Sequence, residues 1–195
     1  MFAINPASGG RDKSGWEDSI RAFFANQPHT VHVFELNGQT DDQTIRQQMT
    51  QHQPDCVVAV GGDGTIKIVA TALLGTDTLL GIIPAGSANG MAREMDIPAR
   101  LEDALNVLVT GQPKPIDVIS VNGADICLHL SDIGLNARVV KHYTENNWRG
   151  MFGYVRAVLR ALRKRRLLQV EINLGDTCVQ RAALMVVLAN ARMYG

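Results

Sequence analysis

The sequence predicts an α/β protein in which a parallel sheet is covered by helices on both faces and is followed by a β-rich second unit. Through residues 1–112, apolar stretches of strand type alternate with amphipathic helical patterns. Several strands of this part end in glycine-rich turns that lead directly into helices. From about residue 113 the pattern changes to hairpin and strand signals. We therefore expect an α/β domain at 1–112 and the start of a β-rich domain at 113–195.

The predicted elements of the α/β domain follow from local patterns. Ser14 with Glu17, and Thr40 with Gln43, have the spacing of capping boxes at helix starts. The apolar run at 57–60 predicts a strand that is buried on both faces. In order, we expect strands at 2–4, 30–36, 55–60 and 79–83, and helices at 14–26, 40–51, 66–74, 91–94 and 101–108.

The second unit begins with a hairpin signal. Asn122-Gly123 favours a type I′ turn between strands at 116–121 and 124–130. The stretch at 134–143 fits either a helix or an irregular crossover, and 150–166 predicts a helix with one basic face. Strands are expected at 167–174 and 178–189. Because the chain stops directly after this strand, we expect the β-rich unit to be incomplete.

Composition excludes several classes of protein. The net charge is zero, 46% of the residues are apolar, and the three cysteines show no metal or redox spacing. No apolar run reaches the roughly 20 residues of a membrane span. We expect a cytoplasmic protein with no nucleic-acid partner, and strand edges that permit a homo-oligomer. The basic helix at 149–166 fits a solvated face or, alternatively, contact with anionic lipid at a membrane surface.

The stretch Gly61-Gly62-Asp63-Gly64-Thr65 is the strongest functional signal. It joins a buried strand to a helix, so backbone amides and a helix N-terminus converge on one point that suits phosphate. Asp63 is placed where a metal or a reacting hydroxyl would lie. The stretch lacks the Lys-Ser/Thr pair of a P-loop and the G-x-G-x-x-G spacing of a dinucleotide fold.

Two further turns strengthen this interpretation. The turn at 5–10 follows the first strand, and Gly86-Ser87-Ala88-Asn89 follows the fourth. Either turn alone fits a helix cap as well as an anion site. In a parallel sheet, however, all three lie at the same edge. Asp117, on an otherwise apolar strand, fits a solvent-facing acid or a functional one equally well. The five histidines show no ligand spacing, and we expect no catalytic role for them.

The ordered set of motifs resembles the bacterial diacylglycerol kinase-like lipid kinase family. Similar segments run through the chain: Asn5-Pro6-Ala7-Ser8-Gly9, the 61–65 stretch, Pro84 to Asn89, Ile116-Asp117, Ser131 to Ala137, and Ala189-Asn190 to Tyr194-Gly195. The resemblance implies a three-layer α/β nucleotide-binding domain, then a β-sandwich domain, with the active site in the cleft between them.

The resemblance also implies an activity and its residues. It implies transfer of the γ-phosphoryl group of ATP to a lipid hydroxyl, with magnesium as cofactor. Asp63 would be the catalytic residue, acting at the phosphate and magnesium centre, and Asp63 and Asp117 would organise magnesium through water. The implied nucleotide-binding residues are Asn5, Ser8, Gly9, Gly61, Gly62, Asp63, Gly64, Thr65, Ser87 and Asn89.

The chain departs from the family pattern at several places. Gly90 stands where many bacterial members have aspartate, and Lys67-Ile68 replaces a usual Asn-Glu pair. The chain also ends before the acidic residues that the family places in the second half of its β-sandwich. Two alternatives therefore remain open: a truncated nucleotide-binding protein without activity, and a NAD kinase.

Overall fold

The structure is a computed structural model of the chain, and it describes residues 1–10, 13–134 and 167–191. These residues form two compact units, one of residues 1–129 with 190–191 and one of residues 130–189. The predicted crossover at 134–143 and the basic helix at 149–166 lie almost wholly outside the described residues.

The first unit has the predicted alternation of strands and helices. Its elements are β1 (Phe2–Ile4), α1 (Trp16–Phe24), β2 (Val33–Glu35), α2 (Asp41–His52), β3 (Cys56–Gly61), α3 (Asp63–Leu73), β4 (Leu79–Pro84), α4 (Gly90–Glu94), α5 (Leu101–Thr110), β5 (Ile119–Val121) and β6 (Asp125–Cys127). The first four strands form one parallel sheet in the order β2-β1-β3-β4. The predicted fold class is confirmed.

Two apolar cores cover the two faces of this sheet. Successive residues of a strand point to opposite faces, so neighbours on β3 enter different cores. Val57 packs with residues of α2, α3 and α4, including Ile45 and Val69. Val58 packs with residues of α1 and α5, including Ile20. The domain is therefore three-layered, and β3 is buried on both faces as predicted.

The two predicted capping boxes are wrong. Helix α1 starts after Gly15, which has a left-handed backbone (φ 81°) and offers no side chain. Thr40 precedes α2 but its side chain does not cap the helix. Instead, Asp41 Oδ1 accepts hydrogen bonds from the amides of Asn37 (2.8 Å) and Gly38 (2.9 Å). This buried carboxylate holds the preceding turn rather than the helix end.

The predicted Asn-Gly hairpin is confirmed. Asn122 and Gly123 both have positive φ (55° and 69°), and β5 pairs antiparallel with β6. Ile126 of this hairpin is buried in the same core as α3. Lys67 of α3 also donates a 2.8 Å hydrogen bond to Asp125, which lowers the pKa of that exposed carboxyl. The hairpin therefore packs on the helix that follows β3.

The second unit consists of antiparallel strand pairs in its described residues. Strand β7 (Leu130–Gly134) pairs with β10 (Met185–Ala189), and β8 (Leu168–Leu174) pairs with β9 (Thr177–Ala183). The single strand predicted at 178–189 is thus two strands with different partners. No helix among the described residues has the length and apolar character required to cross a bilayer.

Candidate functional site

Three loops of the first unit meet at the carboxyl ends of parallel strands. The first loop (residues 5–10) follows β1, the second loop (61–65) follows β3, and the third loop (84–89) follows β4. The Asn5 amide donates a 3.0 Å hydrogen bond to the Val60 carbonyl, and the Ala85 amide donates a 2.8 Å bond to the Gly61 carbonyl. The edge predicted to hold the site therefore brings the loops into direct backbone contact.

Glycines allow this contact because a side chain would fill the space between the loops. A Cβ atom on Gly86 would collide with the Cα of Gly62 across the second and third loops. A Cβ on Gly9 would collide with the Ala85 carbonyl, and Gly9 also has a left-handed backbone (φ 68°). Two of the predicted site residues, Gly9 and Gly62, are thus explained by packing of loop on loop.

Thr65 and Asn5 fasten the first loop to the second. Thr65 is only 2% exposed, and its Oγ1 accepts a 2.9 Å hydrogen bond from Asn5 Nδ2. The Thr65 side chain fills the space next to Gly61 that a Cβ there would need. Ser8 Oγ donates to the Asn5 carbonyl at 3.1 Å and approaches the Ala85 carbonyl at 3.4 Å. These side chains position the loops rather than face open solvent.

Asp63 ties the second loop to helix α4. It is the first residue of α3, where a negative charge favours the helix dipole. Its Oδ2 accepts a 3.0 Å hydrogen bond from the amide of Gly90, and its Oδ1 accepts a 2.8 Å bond from the amide of Met91. The Asp63 carboxylate therefore accepts hydrogen bonds from the first two amides of α4, and the residue remains half-exposed at the loops.

Asn89 closes the third loop on itself. Its Oδ1 accepts from the Gly86 amide at 2.7 Å, and its Nδ2 donates to the Gly86 carbonyl at 2.9 Å. The backbone of Asn89 is left-handed (φ 52°), a conformation that asparagine tolerates better than most residues. Ser87 and Gly64 are exposed, and no described atom outside the helix and its chain neighbours lies within 4 Å of a Cβ added to Gly64. These two residues face the space in front of the loops.

Asp117 does not join this arrangement through any contact among the described residues. It is exposed and precedes β5, and its backbone carbonyl accepts a 2.6 Å hydrogen bond from Asn190 Nδ2. In the described part of the chain, no three His, Cys, Asp or Glu side chains come together as metal ligands do. The water-mediated pairing of Asp117 with Asp63 remains a prediction.

Sequence reasoning missed two residues at the loops. Lys13 Nζ donates to the carbonyl of Pro6 at 3.3 Å and to that of Ser8, so a cation lies over the first loop. The basic residues directly after the Gly9-Gly10 turn could have indicated it. The ring of His129 lies against Gly90, beside the amide that Asp63 binds. No sequence spacing indicates that contact.

A parallel three-layer domain with three glycine loops at one sheet edge is typical of α/β proteins that bind phosphate groups. A comparison with known protein families identifies this class of protein more closely. The model of the diacylglycerol kinase catalytic domain matches residues 1–121. The chain therefore belongs to the diacylglycerol kinase catalytic domain family, a family of kinases.

Curated relatives carry lipid-kinase names. A protein of Enterobacter sp. (strain 638) named "Probable lipid kinase YegS-like" is 31% identical over 148 residues, which is 72% of this chain and 49% of that protein. A protein of the same name from Pectobacterium atrosepticum is 28% identical over 193 residues, covering 94% of this chain and 64% of its own length. The chain thus spans between about half and two thirds of these relatives.

Solved structures share the fold. The crystal structure of a diacylglycerol kinase from Bacillus anthracis str. Sterne superposes with a TM-score of 0.73 at 24% identity, over 98% of this chain and 64% of that one. At this identity the likeness concerns the fold.

Proposed function

We propose that this chain is the nucleotide-binding part of a lipid kinase that transfers the γ-phosphoryl group of ATP to a lipid hydroxyl. The observation that carries the proposal is the junction of the second and third loops. There, Gly62 and Gly86 touch backbone to backbone, and Asp63 binds the first amides of α4. Phosphoryl transfer depends on positioning and on charge neutralisation, and a rigid set of loops supplies positioning.

The residues divide into those that build the loops and those that face the ligand. Asn5, Ser8 and Thr65 hold the loops together through side-chain hydrogen bonds. Gly64 and Ser87 are exposed in front of them. The amides in the first turn of α3 have no acceptor within the helix, and Gly62 provides no capping side chain. We assign the triphosphate to these amides, with Ser87 and Asn89 beside it.

The carboxylate oxygens of Asp63 fit a magnesium ion that is held through water molecules. Both oxygens of Asp63 accept an amide hydrogen bond, and each keeps a further lone pair for a metal-bound water. Magnesium retains several waters and is commonly held by one or two carboxylates plus substrate phosphates. Asp63 would hold it through water, with Asp117 as the second acid, and the ion would neutralise charge on the phosphates. Asp63 also fixes the second loop against α4 during the transfer.

The lipid acceptor is proposed from the relatives' names and the family. Diacylglycerol is the first acceptor to test, because the family takes its name from it. The acceptor would enter from a membrane surface on the cytoplasmic side. We further propose that residues 113–195 begin the second domain of the whole protein.

Binding of MgATP tests the first half of the proposal. Calorimetric titration of the chain with MgATP should give saturable binding that Asp63→Asn weakens. The exposed substitution Asp77→Asn, away from the loops, is the matched control. Absence of saturable MgATP binding to a folded chain would overturn the proposal.

Transfer of label from γ-³²P-ATP tests the second half. Mixed micelles containing diacylglycerol, or other lipids with a free hydroxyl, are incubated with the whole protein that contains this chain and with MgATP. We expect a labelled lipid that is lost in Asp63→Asn. Binding of MgATP without labelling of any lipid, while a lipid kinase relative labels its lipid in parallel, would reject the lipid-kinase assignment.

A further inference from the structure

The imidazole of His129 takes the place of a side chain at position 90. Gly90 is the first residue of α4, and a Cβ atom built on it would lie 2.9 Å from Cε1 of His129. The same atom would lie 3.1 Å from Nδ1 and 3.6 Å from Nε2. The part of the ring nearest Gly90 is therefore Cε1, the atom between the two nitrogens. The wall of the site at this point is formed by residue 129 instead of residue 90.

Hydrogen bonds hold the backbone around His129 in place, whereas the ring nitrogens of His129 have no hydrogen-bond partner among the described residues. Its backbone carbonyl accepts a 2.9 Å hydrogen bond from the amide of Asn190. The neighbouring Leu128 carbonyl accepts a 3.0 Å bond from Asn190 Nδ2. Among the described residues, neither Nδ1 nor Nε2 of His129 has a hydrogen-bond partner, and the side chain is half-buried. A polar ring held in place without a protein partner is available to a ligand.

The ring of His129 lies next to Gly90, a residue that contacts the second loop. The Gly90 amide, next to the ring, donates 3.0 Å to Oδ2 of Asp63. His129 thus lies beside the contact that joins the second loop to α4. Asp63, the other partner of that contact, is the first residue of α3, whose first-turn amides have no acceptor within the helix. The imidazole is therefore linked to the proposed phosphate site through two residues, Gly90 and Asp63.

We propose that His129 is a phosphate-binding residue of this site, whose imidazole N–H donates a hydrogen bond to an oxygen of the bound triphosphate. This inference rests on the proposed nucleotide site and adds a ligand-binding group to it. Position 90 is glycine because the ring occupies the space that a side chain there would need. An imidazole carries at least one N–H donor in either protonation state, and a phosphate oxygen can accept a hydrogen bond from it.

The test compares substitutions that keep a donor with substitutions that keep only volume. MgATP and adenosine are titrated into the full chain and into His129→Gln and His129→Leu variants. A hydrogen bond to a charged group predicts about a tenfold loss of MgATP affinity in His129→Leu. His129→Gln retains an N–H donor and should stay within about threefold of the parent. Adenosine has no phosphate, so its affinity should not change in either variant.

His29→Leu is the matched control, because His29 is exposed and precedes β2 at the opposite edge of the sheet. It should leave both affinities unchanged. Circular dichroism and urea unfolding establish that each variant is folded. If His129→Leu disrupts the fold, the donor-keeping His129→Gln and the donor-free, ring-shaped His129→Phe provide the same comparison.

Each possible result of these titrations either supports or overturns the role of His129. Parent-like MgATP affinity in the donor-free variants, equal losses in His129→Gln and His129→Phe, or parallel losses for MgATP and adenosine would overturn the role of His129 alone. A parent chain that binds no MgATP would overturn the proposed function and this inference together.

Discussion

Asn5 and Thr65 are 60 residues apart in sequence, yet Asn5 Nδ2 donates a 2.9 Å hydrogen bond to Thr65 Oγ1. The bond connects the loop after β1 to the first turn of α3. Because Thr65 is buried, its hydroxyl has no access to water as an alternative partner. The contact therefore holds the first loop in register with the second.

A double-mutant cycle measures this contact. Asn5→Ala and Thr65→Val should each lower the free energy of unfolding by about 1–2 kcal/mol, because one partner of a part-buried hydrogen bond is lost. The double variant should be less destabilised than the sum of the single variants, with a coupling of about 1 kcal/mol. Urea unfolding at pH 7 gives all three values. Fully additive effects would show that the two side chains do not interact.

Gly86 should not tolerate a side chain. Gly86→Ala places a methyl group against the backbone of Gly62, so the second and third loops must separate. We expect a loss of about 1–3 kcal/mol in unfolding free energy, as for an overpacked site. The matched control is Gly64→Ala, where open space surrounds the new methyl group. Equal stability of the two variants in urea unfolding would contradict the loop contact.

Asp63 should contribute to stability as well as to nucleotide binding. Asp63→Asn replaces one acceptor oxygen by an NH₂ group, which cannot accept from the amide of Gly90 or of Met91. The unfolding free energy should fall by about 1–3 kcal/mol in the absence of any nucleotide. Thermal unfolding of the ligand-free protein checks this. A parent-like melting temperature would mean that Asp63 does not hold α4.

The stacked pair His32 and His52 predicts a pH dependence of stability. Their ring centroids are 3.9 Å apart, and partial burial together with the His52 charge lowers the pKa of His32. The unfolded chain then binds a proton more readily than the folded one. The stabilising contribution is full above the unfolded pKa of about 6.5 and decreases as the pH falls below it.

Urea unfolding between pH 8 and pH 5 measures this dependence. His32→Gln should reduce the loss of stability on acidification, whereas His29→Gln, at an exposed position of the same segment, should not. An unchanged pH slope in His32→Gln would contradict the effect of the pair.

Much of the site could be predicted because it depends on local sequence. A β-branched apolar run that ends in Gly61-Gly62 defines a strand, a turn and a helix without reference to the rest of the chain. The rule that parallel strands end at one edge then places the loops together. The Asn122-Gly123 turn was equally local, since both residues accept the required positive φ.

Other features depend on tertiary contacts that the pattern does not contain. Ser14 had the spacing of a cap, but the helix begins one residue later because Gly15 turns left-handed. The bonds from Asp63 to α4 require a particular register of β3 against β4. The sequence predicted no role for His129. That position 90 lacks a side chain becomes informative only once the structure shows the ring of His129 against it.

The most direct test of the central claim is the affinity for MgATP of Gly64→Ala compared with the parent chain. Outside its own helix and chain neighbours, no described atom lies within 4 Å of the added methyl group, and alanine favours a helix over glycine by up to about 1 kcal/mol. Packing therefore gives no reason for a glycine at this position, whereas close approach of a phosphate to the backbone does. We predict unchanged or higher stability together with at least a tenfold loss of MgATP affinity. Parent-like affinity in this variant would contradict a phosphate site at the second loop.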